Sequence, residues 1–211
     1  MSARTISLTI FCLTLLALVP VPSTSAQEAL RRPAAGLFLV AAPGMSDPRF
    51  SRSVILLVNH SSDGAMGLIV NRRSEIPVSD ALSELDPETA GRHHLFFGGP
   101  VEPGRIMYVH EGSPKAPDIG IIDRVSFGAD YERLKVLVSD LPPGSLRVFF
   151  GYAGWASGQL EFELARGDWQ VVAASADRVF SDDPAGLWRT LDNVTRGLIT
   201  SVPASGSTRY L

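Results

Sequence analysis

The side chains with the widest chemical reach in this chain are its four histidines, His60, His93, His94 and His110. Imidazole titrates near neutral pH and ligates metals, so a histidine beside a carboxylate is a common acid-base or metal device. His60 lies in a run of turn formers that also holds Asp63, and His110 directly precedes Glu111. If the turn and the strand end met, these four groups would form such a cluster. A hydrolase-type enzyme using His60, Asp63 and His110 is therefore one reading of the chain. No histidine pair brackets a glutamate at i, i+4, as a zinc-binding helix would require. His93 and His94 are adjacent and would face opposite sides of a strand. The plainer reading is four histidines at loop edges.

Other catalytic devices fail on spacing. The chain has no phosphate-binding Gly-x-x-x-x-Gly-Lys-Ser/Thr and no Gly-x-Gly-x-x-Gly. Gly98-Gly99-Pro100 follows a strand pattern, but the proline removes an N–H where a phosphate cradle would need one. In Gly154-Trp155-Ala156-Ser157-Gly158 the serine stands one place late for a nucleophile elbow; helix capping is the simpler role for Ser157. No catalytic, cofactor-binding or metal-ligating residue is assigned, and no cofactor is expected.

The elements that must position these residues are clearer. Val54–Val58 is apolar on both faces and Gly67–Val70 is a second apolar run, with the turn formers of 59–64 between them. This predicts a buried β-hairpin around an Asp63-Gly64 turn. Further strands are predicted at 36–42, 95–97, 105–110, 120–122, 124–127, 146–152 and 169–173. Residues 101–104 read as a turn. A short helix is expected from Ser79 or Asp80 to Pro87. Another follows over 130–139, with Leu134, Leu137, Val138 and Leu141 on one face. A last helix follows Ser181-Asp182-Asp183-Pro184, striped by Leu187, Leu191, Val194 and Leu198. Residues 154–167 fit a half-exposed strand and a short helix equally well. Strands and helices do not alternate regularly, which favours an α+β fold with a mixed or antiparallel sheet.

The termini and the charge bound the setting. Arg4, the apolar run Ile6–Val19 and the small residues Thr24-Ser25-Ala26 have the pattern of a signal peptide over 1–26, followed by a linker over 27–35. The expected location is periplasmic or secreted, with no stable membrane span after cleavage; a cytoplasmic location is the alternative. Cys12 is the only cysteine and lies within that run, so a processed chain would have no disulfide. The net charge of −3, without a basic run, argues against nucleic acid as a partner. The expected partner is a protein or a small molecule.

Three stretches resemble motifs of the YqgE/AlgH family of bacterial proteins. The first is VAAPGMSDPRFSRSVILLVNHSSDGAMGLIVNR. The second is Phe97-Gly98-Gly99-Pro100-Val101. The third is Gly151-Tyr152-Ala153-Gly154-Trp155 followed by Gly158-Gln159-Leu160-Glu161. The resemblance covers 36–197 and places the domain at 36–199, with a tail at 200–211. It implies one α+β domain whose bent, bifurcated sheet forms a partial barrel with helices packed on it, and it favours helix over 157–166. It supplies no catalytic residues, since the family's biochemical function is not established and one branch carries the label of transcriptional regulator. Loop residues within the motifs then become the candidate ligand- or partner-binding set: Arg52, Asn59, Asp63, Asn71 and Gly99. Arg52 could hold an anion or a salt bridge beside the hairpin. The favoured expectation is a non-enzymatic binding domain.

Overall fold

The computed structural model describes residues 32–197. The expected signal peptide (1–26), the linker up to residue 31 and the tail (200–211) lie outside the described residues. The ten strands are β1 (Leu37–Ala41), β2 (Val54–Ser61), β3 (Gly64–Ile69), β4 (Arg73–Pro77), β5 (His94–Phe97), β6 (Val101–Glu111), β7 (Ile119–Ile122), β8 (Val125–Gly128), β9 (Leu146–Ala156) and β10 (Trp169–Ala173). The helices are α1 (Val78–Ala81), α2 (Pro87–Ala90), α3 (Tyr131–Asp140), α4 (Gln159–Arg166), α5 (Ala176–Val179) and α6 (Leu187–Thr195).

The sheet runs β10-β1-β2-β3-β9-β6-β8-β7, with β4 and β5 on a side branch. Its pairs are antiparallel except β5 with β9, so it is mixed, curled and bifurcated, as the family resemblance implies. The fork lies on β9. Its first half pairs in parallel with β5 (Leu95↔Val148 to Phe97↔Phe150), and its second half pairs with β3 (Gly67↔Ala153 to Gly64↔Ala156). Between them the Gly98–Pro100 segment crosses β9 toward β6, where Val101 pairs with Tyr152. The crossing needs missing side chains on both partners. A Cβ on Gly99 would overlap the Tyr152 carbonyl and the Ala153 nitrogen, and one on Gly151 (φ 67°) would overlap the Gly99 oxygen.

The central hairpin is as buried as its composition requires. Val54, Ile55, Leu56 and Leu57 are fully buried, each side chain contributing about 1.5–3 kcal/mol by leaving water. Alternate residues feed two cores. Phe38, Val40, Leu56, Leu68, Met107 and Phe149 fill the inside of the curl with Leu187 and Leu191 of α6. Leu39, Ile55, Leu57 and Ile69 pack outward with Trp155, Trp169 and Leu160 of α4. A third cluster joins Tyr108, Leu146 and Val148 to Leu134, Leu137 and Val138 of α3.

Several boundaries differ from expectation. The hairpin turn is Ser62-Asp63, because Asn59, His60 and Ser61 continue β2 and Ser61 pairs with Gly64. A bulge at Val58 absorbs the extra residue. Pro87 opens a helix rather than closing one, since the Asp86 carboxylate caps the Glu88 N–H and proline suits the first turn. Residues 101–104 belong to β6 as a bulged strand, not a free turn. The ambiguous 154–167 stretch is both: β9 runs to Ala156 and α4 begins at Gln159. Ser157 does not cap α4; its hydroxyl donates to the Ser62 carbonyl at 2.6 Å and ties the hairpin turn to α4.

Candidate functional site

Strand pairing places the hairpin tip over the C-terminal half of β9. Asn59 pairs with Met66 and Met66 with Gly154, forming one row across the sheet. Ser61, Gly64 and Ala156 form the next row. These residues share a face, and this part of that face is open: it forms a cleft of about 470 Å³ lined by Asn59, Asp63, Met66, Val101, Tyr152 and Gly154, among others. Gly64 and Gly154 give it a flat floor without side chains. Tyr152 forms a wall, its hydroxyl donating to Glu102 Oε1 at 3.2 Å while the Arg105 guanidinium lies 6.0 Å from its ring centre. The opposite face of the same strands, the His60–Ala65–Trp155 row, is covered by α4.

Of the candidate set, the cleft brings together Asn59 and Asp63 and leaves out the rest. Asn71 is buried and structural. Its Oδ1 accepts from the Val54 N–H at 2.8 Å, and its Nδ2 donates to the Arg52 carbonyl at 2.9 Å. It thereby clamps the 50–53 loop to the end of β3. Gly99 is a crossing residue, packed on the β9 backbone. Arg52 takes a positive φ of 55° and places its guanidinium 5.8 Å from the Trp188 ring centre. Among the described residues it has no ion pair, so aromatic stacking replaces the salt bridge considered for it.

The histidines do not converge. His60 lies level with Trp155 of β9 and His110 with Leu146. Those positions are nine residues apart, about 30 Å along a strand. A shared His60/Asp63/His110 site is therefore excluded by register. His60 Nε2 instead donates to Glu161 Oε1 at 2.6 Å, and this hydrogen bond holds the Glu161 carboxyl below its ordinary pKa.

His110 belongs to a cluster that motif reading missed. The side chain of Asp118 is wholly buried. It accepts from Tyr108 Oη at 2.7 Å, Arg133 Nε at 3.0 Å and His110 Nε2 at 3.1 Å. Burial first, then the hydrogen bond to Asp118, pushes the Tyr108 phenol above its ordinary pKa. The cluster ties β6, the 112–118 loop and α3 together. It packs against Gly128, where a Cβ would strike Asp118 Oδ1 and Tyr108 Oη. Asp118 thus holds three elements together through one buried carboxylate, which makes the cluster a structural knot. Its only signal in sequence was an aspartate in a proline-bearing loop.

Comparison with known proteins agrees with this architecture. The AlgH-like family model, DUF179, matches residues 38–196. A UPF0301 protein of Anaeromyxobacter dehalogenans is 37% identical over 164 residues, covering 72% of this chain and 83% of that protein. A UPF0301 protein of Cereibacter sphaeroides is 42% identical over 161 residues, covering 72% and 86%. Among solved structures, the AlgH protein of Pseudomonas aeruginosa superposes with a TM-score of 0.67 at 27% identity, covering 86% of this chain and 96% of that one. Protein DIP2367 of Corynebacterium diphtheriae gives 0.64 at 31% identity, covering 77% and 87%. With its three motifs in order and its sheet forked at their crossing, the chain belongs to the AlgH-like family.

Proposed function

We propose that this protein is a non-enzymatic binding domain, exported to the bacterial envelope, whose ligand surface is the hairpin-tip cleft. One observation carries the reading: all three motifs, distant in sequence, supply residues to this one cleft. Asn59, Asp63 and Met66 come from the first, Val101 from the second, and Tyr152 and Gly154 from the third. The lining offers hydrogen-bond acceptors, an aromatic wall, an adaptable thioether and a glycine floor. That chemistry suits an extended segment of a partner protein bearing N–H donors or a cation. It pairs no nucleophile with a base.

The test is photo-crosslinking in the native cells from a reactive residue at position 59. Wild type is expected to capture a defined partner. Gly154→Val, which fills the floor and whose Cβ meets the edge of the Tyr152 ring and the Val101 side chain but no backbone, is expected to lose it while unfolding normally. Capture unchanged by Gly154→Val would refute the site. Turnover of an ester, phosphate or peptide substrate that Gly154→Val abolishes would refute the non-enzymatic reading. Export is tested separately by intact mass. A periplasmic species beginning at Gln27 supports it, whereas a full-length cytosolic species would favour the regulator reading instead. No helix among the described residues is long and apolar enough to cross a membrane.

A further inference from the structure

Arg147 is the one charged residue in the apolar run Leu146–Tyr152, and the fold carries it inside, where it is 4% exposed. Its Nη1 donates to the Val70 carbonyl at 2.6 Å and its Nη2 to the Ser181 carbonyl at 2.7 Å. Its guanidinium lies 4.7 Å from the Phe96 ring centre. A guanidinium has five N–H donors, so these two bonds leave others free. Among the described residues no carboxylate forms an ion pair with it. A buried cation without a counter-charge is strongly unfavourable. Burial, with repulsion from Arg73 added, pushes its pKa down to about 10.

The residue faces a cleft of about 290 Å³ whose walls include Arg73, Arg92, His93, His94 and Asp182. Three guanidinium groups thus meet a single carboxylate. Neither Arg73 nor Arg92 has an ion pair among the described residues, and Arg92 Nε donates only to the Glu88 carbonyl at 3.1 Å. A second observation points the same way. His93 is 2% exposed and its Nε2 bonds the Val138 carbonyl at 3.2 Å, while its Nδ1 and that of His94 are buried without a partner. Each can accept a ligand hydroxyl proton or, when protonated, donate to a ligand oxygen.

We infer that this cleft binds a phosphate group, the Arg147 fork taking its oxygens from below and Arg73 and Arg92 closing over it. A planar carboxylate is satisfied by one fork. A tetrahedral dianion draws several donors at once, and three guanidinium groups and two histidines line this one cleft. The cleft sits at the Leu146 end of β9 and the hairpin-tip cleft at the Gly154 end, so either assignment can fail alone.

The test is an NMR titration of the isotope-labelled chain with inorganic phosphate, glycerol phosphate and acetate at fixed ionic strength. Saturable shifts at His93, His94 and the Arg147 side chain are expected for phosphate, with a dissociation constant of about 1 mM or tighter. Arg73 and Arg92 are exposed, so Arg73→Gln and Arg92→Gln should fold normally, and each should weaken binding by about tenfold. Arg189→Gln, exposed and outside the cleft, should change nothing. Arg147→Met should abolish binding; if it fails to fold, the two exposed variants decide. Tighter binding of glycerol phosphate assigns an esterified ligand, and tighter binding of inorganic phosphate a free one. Equal shifts with acetate, no saturation by about 10 mM, or unchanged affinity in both exposed variants would overturn the inference.

Discussion

Replacing Gly99 by alanine separates its structural role from a ligand-contact role. Gly99 has φ 155°, and a Cβ there would overlap the Tyr152 carbonyl carbon and oxygen and the Ala153 nitrogen. All three are backbone atoms of β9, held by the β3 and β6 pairings, so none can swing away. Forcing a methyl into a packed site costs about 1–3 kcal/mol, and an unfavourable φ adds about 1–3 kcal/mol. The expected loss is about 4 kcal/mol, a large part of the roughly 5–15 kcal/mol that holds a domain folded. Gly144 is the internal control: its φ is 92°, but no atom lies within 4 Å of its added Cβ. Gly144→Ala should therefore show only the backbone cost, about 1–2 kcal/mol. Urea unfolding of both variants beside wild type measures the difference. If Gly99→Ala loses no more stability than Gly144→Ala, the crossing is not the constraint on Gly99. A variant that stayed stable but lost its binding partner would return Gly99 to the ligand surface.

Three further outcomes follow from buried polar groups. Asn71→Ala strands the Val54 N–H and frees the Arg52 carbonyl; it should cost about 2 kcal/mol in urea unfolding, and a cost under about 0.5 kcal/mol would refute the clamp. Asp118→Asn removes the charge facing Arg133 and His110. It should cost about 3 kcal/mol and lower Tm by roughly 6–12 °C, whereas Tyr108→Phe, which loses one hydrogen bond, should cost about 1 kcal/mol; equal effects from the two would contradict the hub. Burial first, then the neighbouring Arg92 and His94, lowers the His93 pKa below its ordinary 6.5. The unfolded chain therefore binds the proton that the native chain resists, and stability should fall as pH drops below about 6.5 and level off above it. His93→Gln should remove up to about 1.4 kcal/mol per pH unit of that slope, and an unchanged slope would locate the effect elsewhere.

Legibility in the sequence tracked how local each signal was. The both-faces-apolar run at Val54–Val58 could only be an interior strand, and it is one. The leucine stripe placed α3 within a residue at each end, and the structure adds that Asp130 caps it rather than starting it. Elements that depend on distant partners were hidden. β4, Arg73–Pro77, has no apolar alternation and exists because β5 pairs with it. α5 is four residues long and is held by the inner core. The turn is Ser62-Asp63 rather than Asp63-Gly64 because Gly64 opens β3 and pairs with Ser61, a register that only the folded hairpin reveals.

The candidate site shows the same division, with the added difficulty that motif residues are not all ligand residues. Asn71 clamps the 50–53 loop and Gly99 allows the crossing at the fork, so both motif residues are structural. Tyr152 and Gly154, from the third motif, line the cleft, although nothing about their types announced it. Parity explains their placement once the register is known: the Val58 bulge and the Gly151 kink each shift the in-out alternation by one residue. Those shifts turn Asn59, Tyr152 and Gly154 onto one face and His60 and Trp155 onto the other. Arg147 carried the opposite kind of signal. A lone cation inside LRVFFGY was visible from the start, and a charge in a strand that must be buried on both faces demands a counter-charge. What the sequence could not show is that, among the described residues, the fold brings no carboxylate into ion-pair contact with it and opens a cleft beside it. The conclusion that an anion completes the site follows only once both facts are known.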